Sequence, residues 1–258
     1  MITEPPGERM TEELMSGKSI KQTLRTIASR FPGSEALISN YTNFVDRRRL
    51  AKIGDSKQIF THYYEARKWG NDETVSGSGS TLRYTENIRR KIPQIAEELG
   101  IDVLLDAPCG DHHWFRMIEW AREITYIGGD IVESLVDRNR ALYGSQNKTF
   151  IELDIVQDSL LKADLWLCRD CWFHLSNRDI MSAIDNFLRS EIRYLLTSTH
   201  PDCDCNTDIP TGSARLLNLE LPPFNFPSPI RVIDDWIEGF PVRYLALWEQ
   251  EDLRRHLA

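Results

Sequence analysis

Val103-Leu-Leu-Asp106-Ala-Pro-Cys-Gly-Asp111 is a short apolar run that ends in an acid and turns through a single glycine. Read as a strand, a tight turn and the start of a helix, it predicts a nucleotide-binding device. A small residue lets ligand atoms approach the backbone, and a helix N-terminus offers unpaired amides. A dinucleotide site would place GxGxxG here to seat a pyrophosphate. This chain has only Gly110, with Pro108 where the first glycine would stand, and it carries no GxxxxGK[ST] either. NAD, FAD and a P-loop nucleotide are therefore disfavoured.

Working outward, the rhythm after residue 102 is strand and helix in alternation. Trp114, Met117, Ile118 and Ala121 mark a helix, and Thr125-Tyr-Ile-Gly-Gly-Asp130 a second strand ending in an acid. A helix with Val132, Leu135 and Val136 follows. Thr149-Phe-Ile-Glu-Leu-Asp154 is a third acid-ended strand, and Leu165-Trp-Leu-Cys168 a fourth. Ser176-Asn-Arg-Asp179 has the form of a capping box, opening a helix with Ile180, Ala183, Ile184, Phe187 and Leu188 on one side. Residues 193–199 make a fifth strand, and Tyr244-Leu-Ala-Leu-Trp248 a last one. Such alternation specifies an α/β fold, a mostly parallel sheet covered by helices, whose ligands bind beyond the carboxyl ends of the strands. Asp106, Asp130, Asp154, Asp170 and His200 are placed at those ends.

Upstream, Ile88, Ile92, Ile95, Ala96 and Leu99 form one helical face, with Gly100 placed to end it. Ser76-Gly-Ser-Gly-Ser80 reads as a flexible turn. Ile20, Leu24 and Ile27 make a short stripe, and Leu37, Ile38, Tyr41, Phe44 and Val45 a clearer one. Residues 1–58 are thus expected to be a helical extension of a domain spanning 59–258. The extension's helices could serve as an oligomer interface.

A net charge of −8 weighs against nucleic acid, whose binding usually leaves a basic footprint. No run of eighteen apolar residues exists, so no membrane span is expected. The first residues lack a basic, apolar leader, and five cysteines without a dense framework suit a reducing compartment; a cytoplasmic protein is expected. Cys168-Arg-Asp-Cys171 and Cys203-Asp-Cys205 could suggest zinc. The first lies in a strand-like run, an awkward setting for a metal knuckle, and no metal is expected.

Asp130 follows Asp106 by 24 residues, where a carboxylate can take both hydroxyls of a ribose. Asp154 could accept from an adenine amino group. Any one strand-end acid could merely cap a helix, but three in succession suggest one shared ligand. It would have a ribose and a charged amino-acid tail but no phosphate.

On these residues, 101–175 resemble the class I S-adenosylmethionine-dependent methyltransferases, whose first motif is an acid-ended strand and a glycine-containing loop. More narrowly, residues 60–250 resemble a bacterial group of methyltransferase-like proteins of largely unassigned substrate. The matching pieces are Trp69-Gly70, Ser76-Gly-Ser-Gly-Ser80 with Thr85, Asp106 to Asp111 with Trp114, Arg169-Asp170 with His174-Leu175-Ser176, and Gly212 with Arg215, Asn218-Leu219 and Pro223-Phe224. The resemblance implies a Rossmann-like seven-stranded sheet with an antiparallel final hairpin. It also implies S-adenosylmethionine held at Asp106, Ala107, Pro108, Cys109, Gly110, Asp130, Ile131, Asp154, Ile155 and Arg169. Pro108 and His112 replace two of the glycines of the commoner first motif.

The methyl group should emerge over Arg169-Asp170-Cys-Trp-Phe-His174. Methyl transfer is a direct displacement that needs alignment and, for a hydroxyl acceptor, removal of a proton. His174 is the first choice of base, since its ordinary pKa lies near neutrality; the alternative is a packing or capping histidine. Asp170 could orient the acceptor, act as base or hold the histidine. Arg169 could bind an acidic substrate or simply pair with Asp170. Tyr63, Trp69, His113, His200, Asn206, Asn218 and Phe224 are further candidates for an acceptor pocket, the last three in a Pro-rich section that reads as long loops. The expected acceptor is a small molecule or glycan, methylated on oxygen. The alternatives are a non-catalytic cofactor-binding partner of another enzyme and a Rossmann-like oxidoreductase.

Overall fold

The computed structural model describes residues 35–257. Those up to Lys52 form one unit, which holds helix α1 (Glu35–Leu50) over the second predicted stripe. The stripe of Ile20, Leu24 and Ile27 lies outside the described residues. The second unit begins at Ile53 and carries α2 (Ser56–Glu65) and α3 (Glu86–Leu99) ahead of the sheet. Then come β1 (Val103–Asp106), β2 (Thr125–Asp130), α4 (Glu133–Tyr143), β3 (Lys148–Glu152), β4 (Leu165–Cys168), α5 (Asn177–Arg189), β5 (Tyr194–Thr199), β6 (Arg231–Asp234), β7 (Tyr244–Glu249) and α6 (Gln250–Leu257).

The strands form one seven-stranded sheet in the order β3-β2-β1-β4-β5-β7-β6. β1 to β5 run parallel, and β7 pairs antiparallel with both β5 and β6. Alternation along the central strands builds two cores. Leu105, Trp166, Leu195 and Trp248 face one layer, with α5, Leu253 of α6 and the segment carrying Leu217, Leu219, Phe224 and Phe226. Leu104, Leu165, Leu196 and Leu247 face the other, with α3, Val136 of α4, Trp114 and Phe115. Central strands buried on both faces read as continuous apolar runs, which is why β1, β2 and β4 fall where the sequence places them.

Helix ends follow the predicted chemistry. Gly100 closes α3 in left-handed conformation, φ 68°. At α5, Ser176 Oγ accepts from Asp179 N–H at 3.1 Å. The reciprocal half of the box is rerouted: Thr211 Oγ1 donates to the Asp179 carboxylate and accepts from Ser176 N–H.

One expected element is absent. No helix follows β1; residues 111–124 make only a 3-10 turn, Phe115–Met117. Gly110 and His112 both take positive φ, 54° and 55°, which diverts the chain from a helical path at its start. Trp114, Phe115 and Ile118 go individually into the core, whereas Met117 and Ala121 of the predicted stripe stay exposed. The turn at Gly110 therefore has no helix N-terminus behind it.

Candidate functional site

β1 and β2 end side by side, and strand pairing continues into the turn beyond them. Ala107 N–H donates to Leu167 O at 3.0 Å and Cys109 N–H to Gly129 O at 2.8 Å. Trp166 Nε1 donates to Ala107 O at 2.8 Å, and the Ala107–Pro108 peptide is cis. Gly110 N–H then donates to Asp130 Oδ2 at 3.1 Å, while Asn139 of α4 donates to Gly110 O at 2.7 Å. Val132 N–H binds the other Asp130 oxygen at 3.0 Å, and half-buried Ile131 lies between them. Burial pushes the Asp130 carboxyl up to about 6 and the Asp106 carboxyl up to about 7. Tyr126 opposes the rise at Asp106 by donating its hydroxyl to Oδ2 at 2.8 Å.

The expected flexible turn at residues 76–80 is instead a strap fastened at both ends. Its near end is held by Asp111, whose carboxylate accepts from Thr74 Oγ1 at 2.7 Å, Val75 N–H at 3.0 Å and Ser76 Oγ at 3.0 Å. A Cβ at Gly110 would meet Ser76 Oγ at 2.4 Å, so the strap closes over the turn only because the residue is glycine. At its far end Gly79 O accepts from Arg169 Nη2 at 2.7 Å. The strap thus runs from the end of β1 to the end of β4.

Asp154 is two residues beyond β3, not at its end. Its Oδ1 accepts from Val156 N–H at 2.9 Å and its Oδ2 from the Gln157 amide at 2.7 Å, the capping pattern of an acid that opens a turn. Ile155 is buried, and its carbonyl accepts from Asn186 of α5 at 2.9 Å.

Beyond β4, Arg169 lies almost wholly inside the protein, 5 % exposed. It pairs with Asp235 through Nε and Nη2, each at 2.9 Å, and stands 3.4 Å from Asp170 Oδ2. Arg243 pairs with both acids: Nη1 with Asp170 Oδ1, and Nη2 with Asp235 Oδ2 at 3.0 Å. Both guanidinium groups lie over the Tyr84 ring. Asp170 itself has φ 56°, with its N–H on Ser198 Oγ at 3.0 Å, and its carboxylate abuts Gly79, where a Cβ would come within 2.6 Å. Burial raises the Asp170 carboxyl, but Arg169 and Arg243 outweigh it and hold it below the usual range.

His174 is half-buried, and burial lowers its pKa. Nδ1 lies 2.8 Å from Ser213 O and must donate to it, which leaves Nε2 as the basic nitrogen; no described residue bonds Nε2. The Trp69 ring lies over the imidazole, 5.0 Å between centroids and tilted by 32°. Tyr63 meets Trp69 edge-on and donates its hydroxyl to Gly212 O at 2.9 Å. His200, at the end of β5, is buried with its pKa lowered to about 4 by burial, and Phe173 separates it from His174. Tyr63, Trp69, His174, Phe173 and His200 therefore make one run of rings, with Asp170 in electrostatic reach of both histidines.

The other predicted pocket residues do not join them. His113 Nε2 bonds Glu73 at 2.9 Å, beside the Asp111 that holds the strap's near end. Asn206 spends its amide within its own loop, on the carbonyls of Asn218, Leu221 and Pro222, and accepts from Asn218 N–H at 2.9 Å. Phe224 is a core side chain, 1 % exposed, so at this point the Pro-rich section covers the sheet. Conversely, Asp235 and Arg243 went unrecognised in the sequence. Their only signal is an acid just after β6 and a base just before β7, facing each other across a hairpin.

No protein-family model and no curated protein matches the chain. Solved structures do. The chain is similar to magnesium protoporphyrin IX methyltransferase (ChlM) from Synechocystis PCC 6803 with bound SAH, at 17 % identity and TM-score 0.52, over 75 % of this chain and 99 % of that one. The same protein with bound SAM aligns at 17 % identity and TM-score 0.50, over 75 % and 96 %. No helix among the described residues is long and apolar enough to cross a membrane. In strand order, in the antiparallel β7 and in this likeness, the fold is that of the class I S-adenosylmethionine-dependent methyltransferases.

Proposed function

We propose that the chain is an S-adenosylmethionine-dependent methyltransferase that methylates a hydroxyl oxygen of a small molecule. The observation that carries this reading is the convergence of Asp106, Gly110 and Asp130 at the carboxyl ends of β1 and β2, beside the sheet's switch point between β1 and β4. The donor set fits the cofactor. Two buried carboxylates suit a ribose diol and an ammonium and would repel a pyrophosphate. The missing helix N-terminus removes the usual phosphate cradle as well.

Asp130 would hold the ribose hydroxyls, Asp106 the ammonium of the methionine tail, and Asp154 with Ile155 the adenine edge. The backbone of Ala107, Pro108, Cys109 and Gly110, with Ile131, would shape the wall between them. When bound, S-adenosylmethionine supplies a methyl group activated by a sulfonium. His174 Nε2 takes the acceptor's hydroxyl proton, while Nδ1–H stays on Ser213 O and fixes the ring. Asp170, held anionic by Arg169 and Arg243, stabilises the imidazolium that results. Arg169 then acts by positioning Asp170, because its guanidinium is already committed to Asp235 and Gly79. Trp69 and Tyr63 give the acceptor an aromatic wall, and a glycan acceptor would use the same wall.

Transfer of labelled methyl into a library of hydroxylated acceptors tests the reading. His174→Ala should lower turnover by about 10²–10⁴-fold while leaving cofactor affinity unchanged. Normal turnover in that variant would remove His174 as base. Cofactor binding without transfer to any acceptor would favour the non-catalytic partner module.

A further inference from the structure

Tyr126 and His112 have no part in the cofactor contacts assigned above, yet they continue inward from Asp106 as a buried chain. Tyr126 Oη donates to Asp106 Oδ2 at 2.8 Å and lies 3.1 Å from His112 Nδ1. The single hydroxyl proton is spent on the carboxylate, so His112 must supply the proton of the second bond from Nδ1. That tautomer leaves Nε2 as a buried acceptor with no partner, in a ring 1 % exposed and held at φ 55°. Phe115, Tyr126, Tyr143 and Phe150 surround the ring. A buried orphan nitrogen and a left-handed backbone at a non-glycine residue both cost stability. An apolar side chain would fill this aromatic box at less cost, so the histidine needs another reason.

We propose that Tyr126 and His112 are positioning residues, which grip one oxygen of the Asp106 carboxylate and aim the other at the ammonium of the cofactor's methionine tail. This rests on the reading of the site as an S-adenosylmethionine site. His112 orients the hydroxyl, the hydroxyl grips Oδ2, and no described residue bonds Oδ1. The other charged and titratable groups around the chain come from several elements. Asp130 and Cys109 face Asp106 and Tyr126 from β2 and the turn, with Arg169 beyond β4. Lys148 of β3, Arg116 and Asp111 act on His112. His112 stays neutral at neutral pH, its pKa lowered to about 3 chiefly by burial.

The test is calorimetric titration of the whole chain with S-adenosylhomocysteine and with 5′-methylthioadenosine, from about pH 5.5 to about pH 8.5. The second ligand keeps the ribose and adenine but lacks the ammonium. Affinity for S-adenosylhomocysteine should fall as pH drops through about 7, where Asp106 takes a proton, and more steeply than affinity for methylthioadenosine. Tyr126→Phe should move that extra fall upward by about one pH unit, leaving the methylthioadenosine profile in place. Identical profiles in wild type and Tyr126→Phe overturn the inference while leaving the cofactor site standing. No binding of either ligand to the wild type at any pH overturns the site itself. Should Tyr126→Phe not fold, the ¹⁵N spectrum of His112 in the wild type decides: a proton on Nδ1 at pH above 7 supports the chain, and one on Nε2 refutes it.

Discussion

Two buried polar clusters share the carboxyl edge of one sheet, and they meet the cost of burial in different ways. Beside β4, four charges interlock: Asp235 bridges Arg169 and Arg243, and both guanidinium groups reach Asp170. Beyond β1 and β2, Asp106 and Asp130 are buried against a hydroxyl and backbone amides, with no described ion pair to either acid. The first arrangement locks its charges, and it keeps Asp170 anionic. The second leaves both carboxyls raised toward neutrality, where a cationic or hydroxyl-bearing ligand would supply the partners the protein withholds. The difference separates a framework from a binding site more clearly than either cluster does alone.

The framework should break hardest. Asp235→Ala strands two buried guanidinium groups and should cost about 3–5 kcal/mol, read as a fall in melting temperature of roughly 6–20 °C. A change within error would mean that Asp235 does not hold the cluster together. At the binding side the fold should survive but the ligand should not. Asp130→Asn should weaken S-adenosylhomocysteine binding by about 10–100-fold, the worth of a charge-assisted hydrogen bond. Since one amide oxygen must replace two carboxylate acceptors for Gly110 N–H and Val132 N–H, it should also lower the melting temperature by roughly 2–10 °C. Smaller still is Gly110→Ala, which places a side chain at φ 54° against Ser76 Oγ. It should cost about 1–2 kcal/mol for the left-handed backbone and loosen the strap, seen as faster amide exchange at Val75 and Ser76.

The last effect is a slope. Asp106, raised in the folded protein, binds its proton there up to about pH 7, while the unfolded chain loses it near the ordinary value of 3.8. Its contribution to stability therefore declines between those limits as pH rises. His200, lowered to about 4, has the opposite sign: its contribution is lost as pH falls below its ordinary 6.5 toward 4. Denaturant titrations across this window should show a shallower decline with rising pH in Asp106→Asn than in the wild type. An unchanged slope would remove Asp106 as the titrating group.

The sheet was legible where strands are buried on both faces and end in acids. Asp106 and Asp130 close β1 and β2 where the sequence places them, and the carboxyl-end rule then gathers the site. Three features lay beyond that kind of reading. The helix after β1 was suggested by a periodicity at Trp114, Met117, Ile118 and Ala121, but the backbone at Gly110 and His112 overrides it. Asp154 looked like a third strand end, yet the strand stops at Glu152 and the acid caps the next turn. Phe224 sat among prolines and read as loop, yet apolar segments that lack regular structure can still seal a sheet face. The ion-pair framework was illegible for a plainer reason. Asp235 is 66 residues from Arg169, and only tertiary folding makes them partners.

The central claim is that the turn at Gly110 and its two raised carboxyls form a site for an S-adenosyl ligand and not for a dinucleotide. Calorimetric titration of the unmodified chain with S-adenosylhomocysteine, in parallel with NAD, tests it most directly. One equivalent of S-adenosylhomocysteine should bind and NAD should give no heat of binding. Binding of NAD, or silence with both ligands, would contradict it.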